Sequence, residues 1–282
     1  MNQSIYSTIT SGASRTGLRV VIAGQEKIGK TTLCSGAPGA LLVPLEVGFA
    51  GVRVPKTGML QSLEQVTAFL KETMHYAQQG QLPFKTLVFD STTALERQIH
   101  DAVIRRDAGY RPGSKKTITM ESCHGGYGKG YTLANEEFDT LLKQFDILAV
   151  HYGINIVLTC HVFASKVVDP TAGEYDSWDL LLHSPKNSKT YGKRELLTQW
   201  ADIIGFLYDP VFVSKSDNMM RAVSQNKGHV LGMSRTPAYV AGNRFGISGE
   251  VAIPAPPENG WNAFANALYQ ISGIDIFNRE GK

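Results

Sequence analysis

The chain has 282 residues, room for one large domain or two small ones, and carries 28 Lys plus Arg against 25 Asp plus Glu, a formal net charge of +3. That balance excludes a histone-like polycation, and 43% hydrophobic residues exclude wholesale disorder. The apolar runs stop well short of the roughly 18 residues a membrane-spanning helix needs, so no membrane partner is expected.

Residues 1–16 are polar and rich in Ser, Thr and Gly, which predicts a loose arm ahead of a single domain over 17–282. The start Met1-Asn2-Gln3-Ser4-Ile5-Tyr6 lacks a basic region followed by an apolar stretch, and a cytoplasmic location is expected. Leu18 to Gly24 is a β-branched run ending in glycine, and a helix is expected from Lys30: strand, glycine loop, helix. Ala40 to Glu46 predicts a second strand, Leu60 to Gln79 a helix, Phe84 to Asp90 a third strand, and Ser91 to Ala108 another helix. Phe138, Leu141, Leu142, Phe145, Leu148, Ala149 and Tyr152 recur at three and four residues, which predicts an amphipathic helix over 135–153 closed by Gly153. Ile154 to His161 is a fourth strand. Ile203 to Val213 and Met219 to Val223 read as a hairpin with Pro210 at a bulge or edge position, and Trp261 to Ile271 as a last helix. Strands alternating with helices predict an α/β fold with a mostly parallel central sheet flanked by helices and a C-terminal β-hairpin region. Two long stretches, 105–131 and 162–194, are poorly periodic and are expected to be functional or mobile loops.

Gly24-Gln25-Glu26-Lys27-Ile28-Gly29-Lys30-Thr31 fits G-x-x-x-x-G-K-[ST] without a mismatch, between a strand and a helix. Glycines let backbone N–H groups close around phosphates, Lys30 reaches the β- and γ-phosphates, and the Thr31 hydroxyl ligates Mg²⁺, with Thr32 completing the run. Asp90, at the end of the third strand, is the candidate second ligand to the metal; an acid there can also be a plain helix cap. Glu46 is the candidate group that orients or deprotonates water, against a solvated loop carboxylate. His161 is the candidate sensor of the γ-phosphate ahead of a long loop, against a strand cap or core histidine. The expected cofactors are ATP and Mg²⁺. Cys34, Cys123 and Cys160 have no CxxC spacing and read as reduced thiols; the Cys123-His124 and Cys160-His161 pairs make poor chelates.

The order of glycine loop, strand ending in Glu46, strand ending in Asp90-Ser91 and strand ending in His161 resembles the RecA-like P-loop ATPase core. With Gly126-Tyr127-Gly128-Lys129-Gly130-Tyr131, Thr236-Pro237-Ala238-Tyr239 and Asn243-Arg244-Phe245-Gly246, it resembles more closely the phage-encoded RecA-like proteins related to Sak-type single-strand annealing proteins. The resemblance implies an ATPase that forms a homo-oligomeric ring or filament on single-stranded DNA and promotes annealing or strand exchange, with a single-strand-binding protein as a further partner. It also implies that a basic residue of a neighbouring subunit reaches the γ-phosphate; Arg244 is the candidate, with Arg235 and Lys227 as alternatives. Val43-Pro44-Leu45-Glu46 departs from the usual acidic strand end, and His161 stands where RecA has a glutamine.

Charge distribution supports nucleic acid independently. Residues 105–131 hold Arg105, Arg106, Arg111, Lys115, Lys116 and Lys129 against Asp107 and Glu121, and residues 186–194 hold Lys186, Lys189, Lys193 and Arg194 with no acid. Tyr110, Tyr127, Tyr131 and Tyr191 lie among them, a composition suited to single-stranded DNA. A solvated loop that keeps the protein soluble is the plainer alternative, as are an annealing module that needs no hydrolysis and a motor or loader ATPase acting on protein partners.

Overall fold

The computed structural model describes residues 16–114, 117–171, 173–185, 191–216, 219–224, 228–273 and 275, with the backbone alone over 211–216 and 219–224. The expected arm falls outside this range apart from Thr16, as do Lys115, Lys116, Lys186, Lys189 and Lys227.

Five strands run parallel: β1 (Arg19–Gly24), β2 (Ala40–Pro44), β3 (Thr86–Asp90), β4 (Asn155–Cys160) and a strand over Ile203–Tyr208, which becomes β7 in chain order. After β4 come a hairpin, β5 (Val162–Asp169) and β6 (Gly173–Leu180), then β7. A second hairpin pairs β8 (Val211–Ser216) with β9 (Met219–Ser224), and β10 (His229–Gly232), β11 (Gly242–Asn243) and β12 (Glu250–Ile253) complete the strands. The central sheet has eight strands in the order β12-β10-β7-β1-β4-β3-β2, with β11 pairing β7; β10 and β11 run antiparallel to β7, and β12 to β10.

The helices are α1 (Lys30–Ser35), α2 (Leu63–Gln78), α3 (Thr92–Arg105), α4 (Lys129–Asp146), α5 (Lys193–Trp200) and α6 (Gly260–Ser272). Their starts have local causes: Ser62 and Ser91 accept hydrogen bonds from the amides of Gln65 and Ala94, and Asn259 caps α6. Strand alternation splits the core between the two faces of the sheet. Val21, Ala23, Leu87, Phe89, Ile156, Leu158 and Phe206 pack with α2, α3, α4 and α5, while Val20, Ile22, Val88, Val157, Ile203 and Leu207 pack with α1 and α6. A mostly parallel sheet covered on both faces is the expected fold class.

Three expectations require correction. Ile203 to Val213 is not one arm of a hairpin: the run breaks at Asp209-Pro210, and Ile203–Tyr208 enters the middle of the central sheet, where Val20 opposes Ile203 and Gly24 opposes Leu207. The described part of 162–194 is not an irregular loop: it holds the β5–β6 hairpin and the start of α5. The helix expected over 135–153 begins six residues earlier at Lys129 and ends in a π-helical turn, Ile147–His151.

Candidate functional site

The C-terminal ends of the five parallel strands share one edge, where doubly wound sheets bind ligands. Gly24 ends β1 against β7, and a Cβ on it would lie 2.5 Å from the Leu207 carbonyl oxygen, so only glycine permits this approach. The loop then closes with Lys27 and Gly29 both left-handed, at φ 62° and 94°. Gly29 is the N-cap of α1 and no side chain caps that end, so the first amides of the helix face the loop without a competing acceptor. Lys30 is 5% exposed, and its Nζ donates to the carbonyls of Gly24 at 2.8 Å and Gln25 at 2.7 Å. Burial pulls its pKa down, opposed by Asp90 and other anionic neighbours.

Asp90 ends β3 directly behind the loop. Thr31 Oγ1 donates to Asp90 Oδ2 at 2.7 Å, and Thr159 of β4 donates to Asp90 Oδ1. Thr31 and Asp90 are hard oxygen donors side by side, the chemistry Mg²⁺ selects, so the residues fit a magnesium nucleotide. Among the described residues no group of three or more His, Cys, Asp and Glu is arranged to hold a metal by itself, and Cys34, Cys123 and Cys160 are buried free thiols. Burial pushes the Cys160 thiol up to about 12, which leaves it unreactive.

Glu46 and His161 meet across the strand ends. His161 Nε2 lies 2.8 Å from Glu46 Oε1, and His161 Nδ1 lies 3.4 Å from Lys30 Nζ. An ammonium only donates and a carboxylate only accepts, so Nδ1 is the acceptor and Nε2–H the donor: the partners set the tautomer. The His161 hydrogen bond holds the Glu46 carboxyl below its ordinary range, aided by the Ser91 hydroxyl and opposed by burial. Lys30, His161 and Glu46 therefore form one polar chain from the phosphate loop to the end of β2.

His161 also anchors the β5–β6 hairpin. Its carbonyl accepts from the Leu181 amide at 2.8 Å, its amide donates to Thr93 Oγ1 at 3.2 Å, and Thr93 Oγ1 donates to the Leu181 carbonyl at 3.3 Å. Both ends of the hairpin are thus tied at His161 and at the first turn of α3. Between β6 and residues 235–240 lies a cavity of about 310 Å³ whose lining includes Tyr175, Trp178, Tyr239, Arg194 and Arg235.

The remaining basic candidates divide. Lys193 is 0% exposed: its Nζ lies 3.4 Å from Glu96 Oε1 and 3.2 Å from Asn135 Oδ1, so it is a core cation that no DNA phosphate can reach. Arg194 is held by Asp179, Ser184 and Glu195, and Arg106 by Glu137 and Glu64. Arg105 stands 3.7 Å from Glu64. Arg111 donates to the carbonyls of Ala108 and Tyr110, and Lys129 is exposed; among the described residues neither has a carboxylate partner. Tyr131 stacks on His183 at 3.9 Å and is not a free surface, whereas Tyr127 is 100% exposed in a turn where His124 to Gly128 all have positive φ. Arg244 lies at the other edge of the sheet beside Arg19, about 16 Å along β1 from Gly24 at about 3.3 Å per residue. There it donates to Asp202 at 3.3 Å and to the Gln199 carbonyl at 2.6 Å, in the cluster that also holds Arg19. It cannot reach the phosphate loop of its own chain.

Thr159 and Thr93 join the site without having been singled out in the sequence, and Ser91 enters there only as part of the Asp90-Ser91 strand end. Their signal was faint: polar residues at the last positions of apolar strands or at the helix start beside them.

Residues 16–245 match the family model of an AAA domain. No curated protein matches the chain.

Proposed function

The chain belongs to the AAA domain family, an ATPase-type P-loop domain, and on that premise we propose that it hydrolyses MgATP while assembled as a ring or filament on single-stranded DNA, promoting annealing or strand exchange in phage recombination or replication. The observation that carries this is the double role of His161, which bridges Lys30 and Glu46 and ties down both ends of the β5–β6 hairpin. Lys30 and the loop amides would hold the phosphates, with Thr31 and Asp90 on the metal side. Bound Mg²⁺ supplies neutralisation of phosphate charge. Glu46, kept ionised by His161 and Ser91, would accept a proton from water. His161 would transmit phosphate occupancy to the hairpin, so that hydrolysis loosens the grip on DNA.

For DNA, support comes from Tyr127 and Lys129 at the start of α4, from Arg111, and from the exposed Tyr191. Arg244, engaged within its own chain, would have to act on a neighbouring subunit. A single-strand-binding protein as partner and a cytoplasmic setting belong to the same proposal. The test is a titration of ATPase rate with single-stranded DNA, read together with particle size and with the salt dependence of binding. Stimulation, growth in particle size and a log–log salt slope near −0.7 per phosphate are expected. A flat salt response overturns the DNA assignment. DNA-independent turnover favours a motor or loader acting on protein, and a Glu46→Gln variant that anneals without turnover favours a binding module.

A further inference from the structure

The C-terminal edge of the central sheet carries polar groups on both sides of the phosphate loop. On the β4–β3–β2 side stand His161, Asp90 and Glu46. On the other side Asp209 follows the end of β7, and β10 begins beside it at His229. Asp209 Oδ1 lies 2.5 Å from His229 Nδ1. A carboxylate oxygen only accepts, so Nδ1 carries the proton of this pair and the ring is turned with Nε2 outward. Nε2 faces the loop: a Cβ built on Gly29 would lie 3.4 Å from it.

The backbone fixes this position. Gly228 has φ +102°, and a Cβ there would lie 2.4 Å from the Ile253 carbonyl oxygen, so glycine lets the chain enter β10 hard against β12. His229 then pairs with Ile253 as the first residue of the strand. Its side chain is 29% exposed, within reach of a ligand in the loop.

We propose that His229, oriented by Asp209, contacts the nucleoside end of the bound nucleotide at the α-phosphate or the ribose. This rests on the phosphate-loop reading of the site. Lys30, Thr31 and Asp90 put the terminal phosphates and the cation on the β4–β3 side. A nucleotide is a linear molecule, so its other end leaves the loop toward β7 and β10, where the His229 ring faces Gly29. Neutral Nε2 accepts from a ribose hydroxyl, and protonated Nε2 donates to a phosphate oxygen; either is one hydrogen bond from a ring already held by Asp209.

The experiment is equilibrium binding of a fluorescent ADP to the full chain, with unlabelled ADP and inorganic tripolyphosphate as competitors, for wild type and for H229A, H229Q, D209N and K30A. H229A is expected to weaken ADP binding about tenfold or more, the scale of one lost hydrogen bond to a charged group. H229Q, whose amide can donate or accept, keeps affinity within about threefold, and D209N loses less than H229A because the ring remains. A parallel loss for tripolyphosphate assigns the contact to a phosphate; a loss for ADP alone assigns it to the ribose. Unchanged ADP affinity in H229A overturns the proposal, and so does an equal loss in H229A and H229Q, which marks a purely structural residue. If wild type binds no ADP, or K30A binds as well as wild type, the phosphate-loop reading itself fails and takes this one with it.

Discussion

Replacing Lys193 by alanine separates a core role for this residue from a DNA-binding one. Its ammonium is fully buried 3.4 Å from a Glu96 carboxylate that is 11% exposed, with α3, α4 and α5 all contributing to the cluster. At an effective dielectric constant of about 20, two unit charges at that distance attract by about 5 kcal/mol. Removing one partner of a buried pair costs about 3–5 kcal/mol, because the other charge is left unpaired. At about 2 °C per kcal/mol for a chain of this size, Tm should fall by about 6–10 °C in differential scanning calorimetry. The pH dependence carries a sign. Burial already raises the Glu96 carboxyl above its ordinary range, and losing Lys193 removes the charge that opposes this. The folded variant then binds a proton more readily than the unfolded chain, so its deficit is largest above the raised Glu96 pKa and shrinks as pH falls through it. The double variant Lys193→Met with Glu96→Leu should recover most of the loss. A Tm within about 1 °C of wild type, together with a DNA salt slope shallower by about 0.7, would refute the buried-pair account.

Glu46→Gln should cut single-turnover ATP hydrolysis by about a hundredfold or more while nucleotide affinity stays within a few-fold; unchanged turnover removes Glu46 as the base. Because His161 holds the Glu46 carboxyl below the ordinary 4.5, the stability this pair contributes is present above that pH and lost as pH falls through the lowered value. Urea denaturation should accordingly show wild type ahead of Glu46→Gln by about 0.5–1.5 kcal/mol at pH 7, and a gap that persists in acid contradicts the assignment. Gly29→Ala puts a side chain at φ +94° and should abolish tight nucleotide binding in the fluorescence assay, with retention arguing against the loop geometry. Tyr127→Ala should weaken single-stranded DNA binding by about 5- to 150-fold, the range of one lost base stack, as measured by anisotropy. No change there would mean the exposed ring serves another partner.

Much of the strand–loop–helix framework was legible because its causes are local. The β-branched run before Gly24 and the eight-residue glycine motif act through backbone conformation and near-neighbour hydrogen bonds, which spacing alone reveals; the serine caps of α2 and α3 place those helix starts more exactly than the expected bounds did. The β5–β6 hairpin was missed because its alternation is broken: Ser165, Lys166, Asp176 and Ser177 interrupt the apolar pattern, and its stability comes from eight paired positions and the anchor at His161. Ile203–Tyr208 looked like a hairpin arm because an apolar run carries no record of its partner; pairing with β1 on one side and β10 on the other decides that it is central.

The candidate site divides in the same way. Residue types and their order determined that a glycine motif follows β1, that a carboxylate ends β3 and that polar groups stand just past the ends of β2 and β4. Only the tertiary structure decided which of them touch. The parallel register brings Glu46, His161 and Lys30 into one hydrogen-bonded chain, and the packing of α4 against both α3 and α5 carries Lys193 from a basic run into the core beside Glu96. The physical reason is range: conformational preference is set by a few neighbouring residues, whereas burial and charge pairing depend on segments a hundred residues apart that meet only when the sheet is assembled.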